Sequence, residues 1–260
     1  MKEFQINGVK IRQGQAVNIE LPIAKLPTHT LIDLPIFIRS AKEEGPVVLV
    51  SGGVHGDEIN GIITAKRILE EIDNGLELLR GTLIIIPLVN IYGFLSNSRT
   101  FPDGRDLNRS FPGSKKGSLA GRIAYILNEQ IIPHIDYGID FHTGGRMLTN
   151  HPQIRVDFQD KKAIELAMLF HLDMLESGPE KKETVILQSS DWIRARSSGI
   201  FNSSVRLGDE VKKGQVVARI SDPYGHIKIP IKAPSNGYVI GINNLPVINV
   251  GEALIHLGKA

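Results

Sequence analysis

Two histidines and one glutamate have the types and spacing of metal ligands. His55 and Glu58 lie three residues apart in the stretch SGGVHGDEIN, and His142 lies in the later stretch DFHTGG. A separation of three residues at the start of a helix lets two side chains project in the same direction. Two histidines and one glutamate, with a fourth position left open, are the protein ligands of several catalytic zinc sites. The pattern therefore predicts a metal centre at His55, Glu58 and His142.

A plainer interpretation stays open beside this one. Both histidines could be loop residues at strand ends, with rings that only make hydrogen bonds. A lone His-x-x-Glu favours that interpretation, and the second histidine at another strand end weighs against it. Asp57 and Asp140 are close to the histidines in the chain and could orient an imidazole from behind.

The segment SRTFPDGRDLNRSFPG, residues 98–113, indicates an anionic ligand. It combines Arg99, Arg105 and Arg109 with Asn108 in a stretch rich in proline and glycine. Arginine presents a planar fork of donors that matches a carboxylate. Such a cluster on a loop beside a cation suggests an anionic substrate, while a solvated basic loop is the alternative.

The elements that would position these residues follow an α/β pattern. The run GPVVLVSGG reads as a strand buried on both faces, and GTLIIIPLVN and IDYGIDFHTGG read as further strands. Between them, apolar residues at helical spacing predict one helix that ends at Asn74-Gly75 and a second helix in GSLAGRIAYILNEQ. Ligands of parallel α/β sheets bind beyond the carboxyl ends of the strands. His55, Asn90 and His142 all fall at such ends.

From about residue 184 the chain changes to short strands with glycine turns. This pattern predicts a small C-terminal β-barrel or sandwich. We therefore expect two domains, residues 1–183 and residues 184–260. VRLGDEVKKGQVVARI and IKAPSNGYVIGI resemble the hammerhead of lipoyl and biotinyl carrier domains. Lys228 lies near the corresponding hairpin tip but lacks the sequence context of a modified lysine, so we expect a structural role.

Composition narrows the classes of function. The 260 residues include no cysteine, which excludes disulfides, thiolate metal sites and a cysteine nucleophile. The formal net charge of +2 gives no support to nucleic-acid binding. The beginning of the chain has no signal-peptide pattern, and its apolar runs are shorter than a membrane helix needs. We expect a cytoplasmic protein with no membrane or nucleic-acid partner.

Taken together, GGVHGDE, DLNRSFPG and DFHTGG, in this order on an α/β pattern, resemble the succinylglutamate desuccinylase/aspartoacylase family of the zinc carboxypeptidase superfamily. The resemblance extends over nearly the whole chain. It implies a zinc carboxypeptidase-like mixed sheet flanked by helices, plus an appended hammerhead-like all-β barrel-sandwich. It also implies one Zn²⁺ per chain, bound by His55, Glu58 and His142.

The resemblance further implies an activity and a substrate site. The family's usual reaction is hydrolysis of an N-acyl amino acid to a carboxylic acid and an amine. Asn108 and Arg109 would bind the substrate carboxylate, with Arg105 beside them. Arg99 would polarise the scissile carbonyl, with Arg105 as the alternative for that role. The implied substrate is a small anionic N-acyl compound, and the β domain could form a homo-oligomer.

One expected feature of the family is not found. Its members carry a general-base glutamate on a strand after the second zinc histidine, in a pattern like T-x-E-x-G. Here the helical stretch KAIELAMLFH continues directly into LDMLESGPE. The domain therefore looks shortened near residues 170–173, and neither Glu176 nor Glu165 is assigned as the base. Three explanations stay open: a shortened and impaired enzyme, which we favour, a base from elsewhere, or a zinc site that only binds.

Three functions follow for testing. The first is a zinc-dependent deacylase acting on an N-acyl amino acid or related N-acyl amine. The second is a catalytically impaired zinc-binding relative that binds an acidic small molecule. The third, a carrier or interaction module with a degenerate first domain, is disfavoured because all three metal ligands and DLNR are present.

Overall fold

The computed structural model describes residues 4–26, 28–170, 184–224 and 228–260. The chain divides into two compact units, Met1–Arg146 and Met147–Ala260. All the residues that the sequence predicts for the metal and substrate site belong to the first unit.

The first unit is a mixed α/β unit. Its described residues form seven strands, three α-helices and two short 3-10 helices. In chain order these are β1 (Phe4–Ile6), β2 (Val9–Ile11), β3 (Ala16–Lys25), β4 (Leu31–Ser40), β5 (Val47–Gly52), α1 (Ile59–Asp73), β6 (Thr82–Ile86), α2 (Ile91–Leu95), a 3-10 helix (Leu107–Arg109), α3 (Leu119–Gln130), a second 3-10 helix (Ile132–His134) and β7 (Tyr137–Phe141).

Five of these strands form one sheet in the order β3-β4-β6-β5-β7. β5 pairs in parallel with both β6 and β7, whereas β4 is antiparallel to β3 and β6. The predicted mixed sheet is thus confirmed. Because β5, β6 and β7 are parallel, the loops that follow them leave from one edge of the sheet. His55, Asn90 and His142 lie in or at the start of the segments after these strand ends.

The core of this unit lies on both faces of the sheet. Ile84 and Ile86 of β6 pack in a cluster with α3, and Ile85 packs on the opposite face with Ala65 and Leu69 of α1. Successive side chains of a strand point to opposite faces, so the apolar run LIII fills both layers. This explains why the strand reads as continuously apolar in the sequence.

Helix α1 lies very close to the strands that carry the predicted ligands. A Cβ atom on Gly61 would lie 2.4 Å from the carbonyl oxygen of Phe141, and one on Gly52 would lie 2.6 Å from the carbonyl oxygen of Gly61. Only glycine permits this approach. It brings Glu58, the N-cap residue of α1, to the ends of β5 and β7.

The second unit is mostly β structure. Its described elements are β8 (Leu148–Asn150), α4 (Lys161–Leu169), β9 (Ser189–Arg194), β10 (Gly199–Ser203), β11 (Glu210–Val211), β12 (Val216–Ser221), β13 (Lys228–Lys232), β14 (Gly237–Asn243), β15 (Val247–Ile248) and β16 (Ala253–Lys259). They form two antiparallel sheets, one in the order β13-β12-β10-β15 and one in the order β11-β14-β16-β9, with β8 also paired to β14. Side chains of both sheets share one apolar core.

The division between the units lies earlier in the chain than the expected boundary near residue 184. The reason is that β8 adds to the second unit's sheet by pairing with β14. The helix predicted in KAIELAMLFH is present as α4, and Glu165 is exposed on it. The hammerhead-like barrel-sandwich stays a prediction. Glu176, and residues 171–173 of the shortened stretch, lie outside the described residues.

The described helices are short. None of them is both long and apolar enough to cross a membrane.

Candidate metal centre

Glu58 lies at the centre of the predicted site. Its Oε1 lies 2.7 Å from Nδ1 of His55, and its Oε2 lies 2.9 Å from Nδ1 of His142. The backbone N–H of Thr143 donates to the same Oε2 at 2.9 Å. The Glu58 and His55 side chains are almost fully buried, whereas the His142 side chain is 35% exposed. The structure therefore brings the three predicted ligands together, with access from the His142 side.

The outer nitrogen of each imidazole faces a carboxylate. Nε2 of His55 lies 3.2 Å from Oδ1 of Asp106, and Nε2 of His142 lies 2.6 Å from Oδ2 of Asp140. A carboxylate at Nε2 retains a proton there, so Nδ1, which donates to Glu58, is the nitrogen that would lose its proton when a metal binds. Both rings thus present their Nδ1 atoms to the centre of the site.

The charges of this cluster reinforce one another. Burial alone would raise the pKa of Glu58, but hydrogen bonds from His142, His55 and the Thr143 N–H outweigh burial and lower it to about 2. Hydrogen bonds to Asp140 and Glu58 raise the pKa of His142 to about 9, although burial opposes this. At neutral pH, Glu58 is therefore an anion. Its position at the amino end of α1 also favours negative charge.

Arg99 is the arginine that reaches this cluster. Its Nη1 donates to Oε1 of Glu58 at 3.3 Å, and its Nε and Nη2 donate to Oδ2 of Asp106 at 3.1 and 2.9 Å. Burial raises the pKa of Asp106, and the hydrogen bonds and charge of Arg99 lower it to a net value below the usual range. The buried Asn90 side chain donates to the carbonyl oxygen of Arg99 at 3.4 Å, which ties this segment to the end of β6.

The other predicted substrate residues lie at different places. Asn108 is near the cluster, because its Nδ2 lies 3.3 Å from Nε2 of His55. Arg109 ends the same 3-10 helix and is exposed. The Arg105 side chain is 65% exposed, and its Nε lies 4.0 Å from a carboxylate oxygen of Asp103. Among the three arginines, only Arg99 contacts a predicted metal ligand in the part of the chain that the structure describes.

Asp57 does not orient an imidazole, contrary to the suggestion from its sequence position. Its Oδ2 accepts a hydrogen bond from the Arg146 N–H at 3.2 Å, and the carboxylate packs against Gly145. Asp57 and Glu58 are neighbours in the chain, so their side chains leave the backbone in different directions. Asp57 thus binds the loop after His142, while Asp106 contacts His55.

Sequence reasoning missed two polar residues of the site. Asp106 immediately precedes Leu107 and Asn108 in DLNR, and that motif could have indicated it. Ser51, whose Oγ donates to Oδ1 of Asp140 at 2.8 Å, reads in the sequence as one small residue of a Gly-rich turn. Only the alignment of β5 beside β7 shows its role.

The donor set fits a divalent metal ion. One atom from each of His55, Glu58 and His142 can be chosen so that all three lie within 4.8 Å of one another. Two imidazole nitrogens and one carboxylate oxygen, with one open position, match a catalytic zinc site. The Asp106 and Asp140 contacts supply the outer hydrogen bonds that such sites use to orient their ligands.

Comparison with known proteins identifies the family. A family model for the succinylglutamate desuccinylase/aspartoacylase catalytic domain matches residues 44–189. This match includes the three predicted metal ligands, Arg99 and the DLNR motif, and it extends over more than half of the chain. The protein belongs to the succinylglutamate desuccinylase/aspartoacylase family.

Individual relatives agree with this assignment. The chain is 26% identical, over 281 residues, to the N-alpha-acetyl-L-2,4-diaminobutyric acid deacetylase of Halomonas elongata, a match that covers 81% of each chain. An aspartoacylase family protein from Mesorhizobium loti has a similar fold, with a TM-score of 0.79, 24% identity and 95% of both chains covered. The product-bound ectoine utilization protein EutE from Ruegeria pomeroyi gives a TM-score of 0.76, with 23% identity and 96% and 97% of the two chains covered.

The match to the Halomonas deacetylase also bears on chain length. The alignment is 281 residues long, but it includes only 81% of this 260-residue chain. The relative therefore contains residues within the matched region that have no counterpart here.

Proposed function

We propose that this protein is a zinc-dependent hydrolase that cleaves the amide bond of a small anionic N-acyl amino acid or related N-acyl amine. The observation that carries the proposal is the convergence of His55 and His142 on the two oxygens of Glu58, with a carboxylate behind each ring. Membership of a deacylase family and the likeness to a curated deacetylase support the reaction class.

The zinc ion, when bound, would lower the pKa of a water molecule and polarise the amide carbonyl. The side chains of His55, Glu58 and His142 would hold it. Arg99 would stabilise negative charge on the carbonyl oxygen, since preorganised donors at a developing oxyanion lower the barrier. Its two hydrogen bonds to Asp106 hold the guanidinium in position.

Asn108 and Arg109 are proposed to bind the substrate carboxylate. They are adjacent in the 3-10 helix Leu107–Arg109, and the Asn108 amide lies at the edge of His55. The exposed Arg109 guanidinium pairs with no side chain among the described residues and is therefore available for a bidentate pair with a carboxylate. Arg105 pairs with Asp103 and with none of the metal ligands among the described residues, and it is proposed to attract anions without contacting the reacting group.

The carboxylates around the site also support a second candidate function, because neither of them can serve as the general base. Among the described residues, the two aspartates that contact the histidines, Asp106 and Asp140, each hold an imidazole nitrogen. Neither is free to take a proton from water. The extra residues in the Halomonas relative support the prediction of a shortened chain. The alternative is thus a catalytically impaired relative that binds zinc and an acidic small molecule.

One experiment separates these proposals. Zinc content would be measured by elemental analysis on the unmutated protein, on His55→Ala and on His134→Ala as the control, since His134 packs on Phe4 away from the cluster. The same samples would be assayed against N-alpha-acetyl-L-2,4-diaminobutyrate, N-acetylaspartate and N-succinylglutamate. About one zinc per chain with hydrolysis, both lost only in His55→Ala, supports the deacylase.

The other outcomes are equally informative. Zinc without hydrolysis of any substrate favours the impaired relative, and ligand binding would then be measured by calorimetry. No zinc in the unmutated protein would reject both zinc proposals. The proposed homo-oligomer through residues 184–260 and the expected location in the cytoplasm are separate predictions, and light scattering tests the first of them.

A further inference from the structure

We propose that Ser51 is a positioning residue for the metal centre, acting on His142 through Asp140. Ser51 and Asp140 are register partners on the neighbouring parallel strands β5 and β7. The Ser51 Oγ donates to Oδ1 of Asp140 at 2.8 Å, and the other oxygen of Asp140 lies 2.6 Å from Nε2 of His142. A chain of two hydrogen bonds therefore connects a buried strand to the metal ligand.

The need for Ser51 follows from the surroundings of Asp140. The Asp140 side chain is 35% exposed, and so is that of His142, so neither is held by packing alone. The torsion that rotates a carboxylate is soft. A hydroxyl bound to Oδ1 restricts that rotation and keeps Oδ2 facing the imidazole. Ser51 itself is only 6% exposed and belongs to β5, an interior strand between β6 and β7, which makes it a fixed reference point.

The carboxylate behind the other predicted metal ligand, His55, is also held by hydrogen bonds. Asp106, the carboxylate behind His55, is held by the guanidinium of Arg99 and by the backbone N–H of Asn108 at 2.9 Å. Ser51 gives Asp140 the corresponding support by a single hydroxyl. Outer hydrogen bonds of this kind fix the tautomer and orientation of a metal-binding histidine. The metal affinity on the exposed side of the site then depends on a residue that does not contact the metal.

The inference rests on the proposed metal centre, and its test measures affinity and not activity. Zinc dissociation constants would be determined by competition with a chromophoric chelator for Ser51→Ala, Asp140→Ala and the double variant. We expect Ser51→Ala to weaken zinc binding about tenfold, the lower end of the range for such contacts. In the Asp140→Ala background, Ser51→Ala should have no further effect, because its route to His142 is already removed.

Ser40→Ala is the matched control. Ser40 lies in the same sheet, and its hydroxyl bonds that of Thr82 at 2.9 Å, outside the metal cluster. It should lower thermal stability about as much as Ser51→Ala while leaving the zinc dissociation constant unchanged. A Ser51→Ala affinity within twofold of the unmutated protein would overturn the proposal. So would a tenfold effect that persists without the Asp140 carboxylate.

A metal-free measurement separates this inference from the proposed function. In protein labelled with ¹⁵N-histidine, the proton on Nε2 of His142 should exchange with solvent at least tenfold faster in Ser51→Ala than in Ser40→Ala. If the unmutated protein binds no zinc, the proposed function fails, and this exchange rate still decides the role of Ser51. Equal exchange rates in the two variants would show that Ser51 does not position His142.

Discussion

Asp106 and His55 are in contact although 51 residues separate them, with Oδ1 of the aspartate 3.2 Å from Nε2 of the histidine. The other oxygen of Asp106 accepts two hydrogen bonds from Arg99. One carboxylate thus connects a predicted metal ligand to the arginine predicted to stabilise the oxyanion. The loop after α2 is thereby coupled to the predicted metal centre.

This contact predicts that Asp106→Asn weakens both metal binding and catalysis. The variant removes the negative charge of Asp106, which holds Arg99 and keeps a proton on Nε2 of His55. Loss of such an outer contact lowers metal affinity or activity about 10- to 100-fold. Chelator competition would measure the first effect and kcat/KM the second. Asp103→Asn, in the same loop but beside Arg105, should leave the zinc dissociation constant unchanged. Equal affinities for both variants would contradict the role given to Asp106.

Gly56, next to the predicted metal ligand His55, lies where the structure has no space for a larger residue. A Cβ atom there would lie 1.9 Å from the carbonyl carbon of Gly93 and 2.0 Å from the backbone nitrogen of Phe94. Because both obstacles are backbone atoms, Gly56→Ala must separate α2 from the His55 loop. We expect a lowered melting temperature and loss of zinc binding. Gly138→Ala is the control, since its Cβ would meet only one side-chain atom at 3.7 Å, and its melting temperature should be almost unchanged.

The pair of Arg39 and Asp73 predicts a stability effect far from the metal. Two hydrogen bonds of 2.6 and 2.8 Å join a guanidinium that is 10% exposed to the carboxylate at the end of α1. Asp73→Asn would leave Arg39 without its counter-charge, at a cost of about 1 to 3 kcal/mol in the free energy of unfolding. Urea unfolding would measure this value.

The control for that pair is Glu70→Gln, which breaks the exposed Lys66–Glu70 ion pair on the same helix. Exposed pairs contribute about 0 to 1 kcal/mol, so the control should unfold almost as the unmutated protein does. Arg39 also lowers the pKa of Asp73, so this stabilisation exists above the usual aspartate pKa and is lost as the pH falls through the lowered value. Asp73→Asn should therefore flatten that part of the acid unfolding profile.

His256 predicts a pH dependence of the second unit. Its ring stacks on Trp192 at 4.5 Å, it is 5% exposed, and its Nδ1 has no hydrogen-bond partner among the described residues. Burial, followed by the nearby charge of Arg155, lowers the pKa of His256 from 6.5 to about 4. Between pH 4 and pH 6.5, His256 is therefore protonated in the unfolded chain and neutral in the folded chain. As far as His256 is concerned, the free energy of unfolding is highest above pH 6.5 and falls as the pH approaches 4.

His256→Phe tests this effect because it retains a ring on Trp192 and removes the titrating group. At pH 5 the unmutated protein should have lost about 2 kcal/mol relative to pH 7 from this residue alone, and the variant should lack that loss. Urea unfolding at both pH values would show the difference. The same pH dependence in both proteins would rule out His256 as its source.

Periodicity predicted most of the local structure of the first unit. The helix from Ile59 ends at Asp73 as Asn74-Gly75 indicated, and the apolar runs form β5 and β6. Such features depend on neighbours in the chain, so the sequence displays them directly. It did not display β8, whose three residues form a strand only because β14 lies beside them. For the same reason the first compact unit ends at Arg146, whereas the family's catalytic-domain model extends to residue 189.

The sequence by itself determined the ligand types, their order and their location at strand ends, because these follow from residue chemistry and the α/β pattern. Only the tertiary structure decided which residues stand behind the ligands. It selected Arg99 over Arg105 as the arginine at the cluster, Asp106 over Asp57 as the partner of His55, and Ser51 as the support of Asp140. These contacts join segments that are 41 to 89 residues apart, and they depend on strand register and helix approach, which no local pattern encodes.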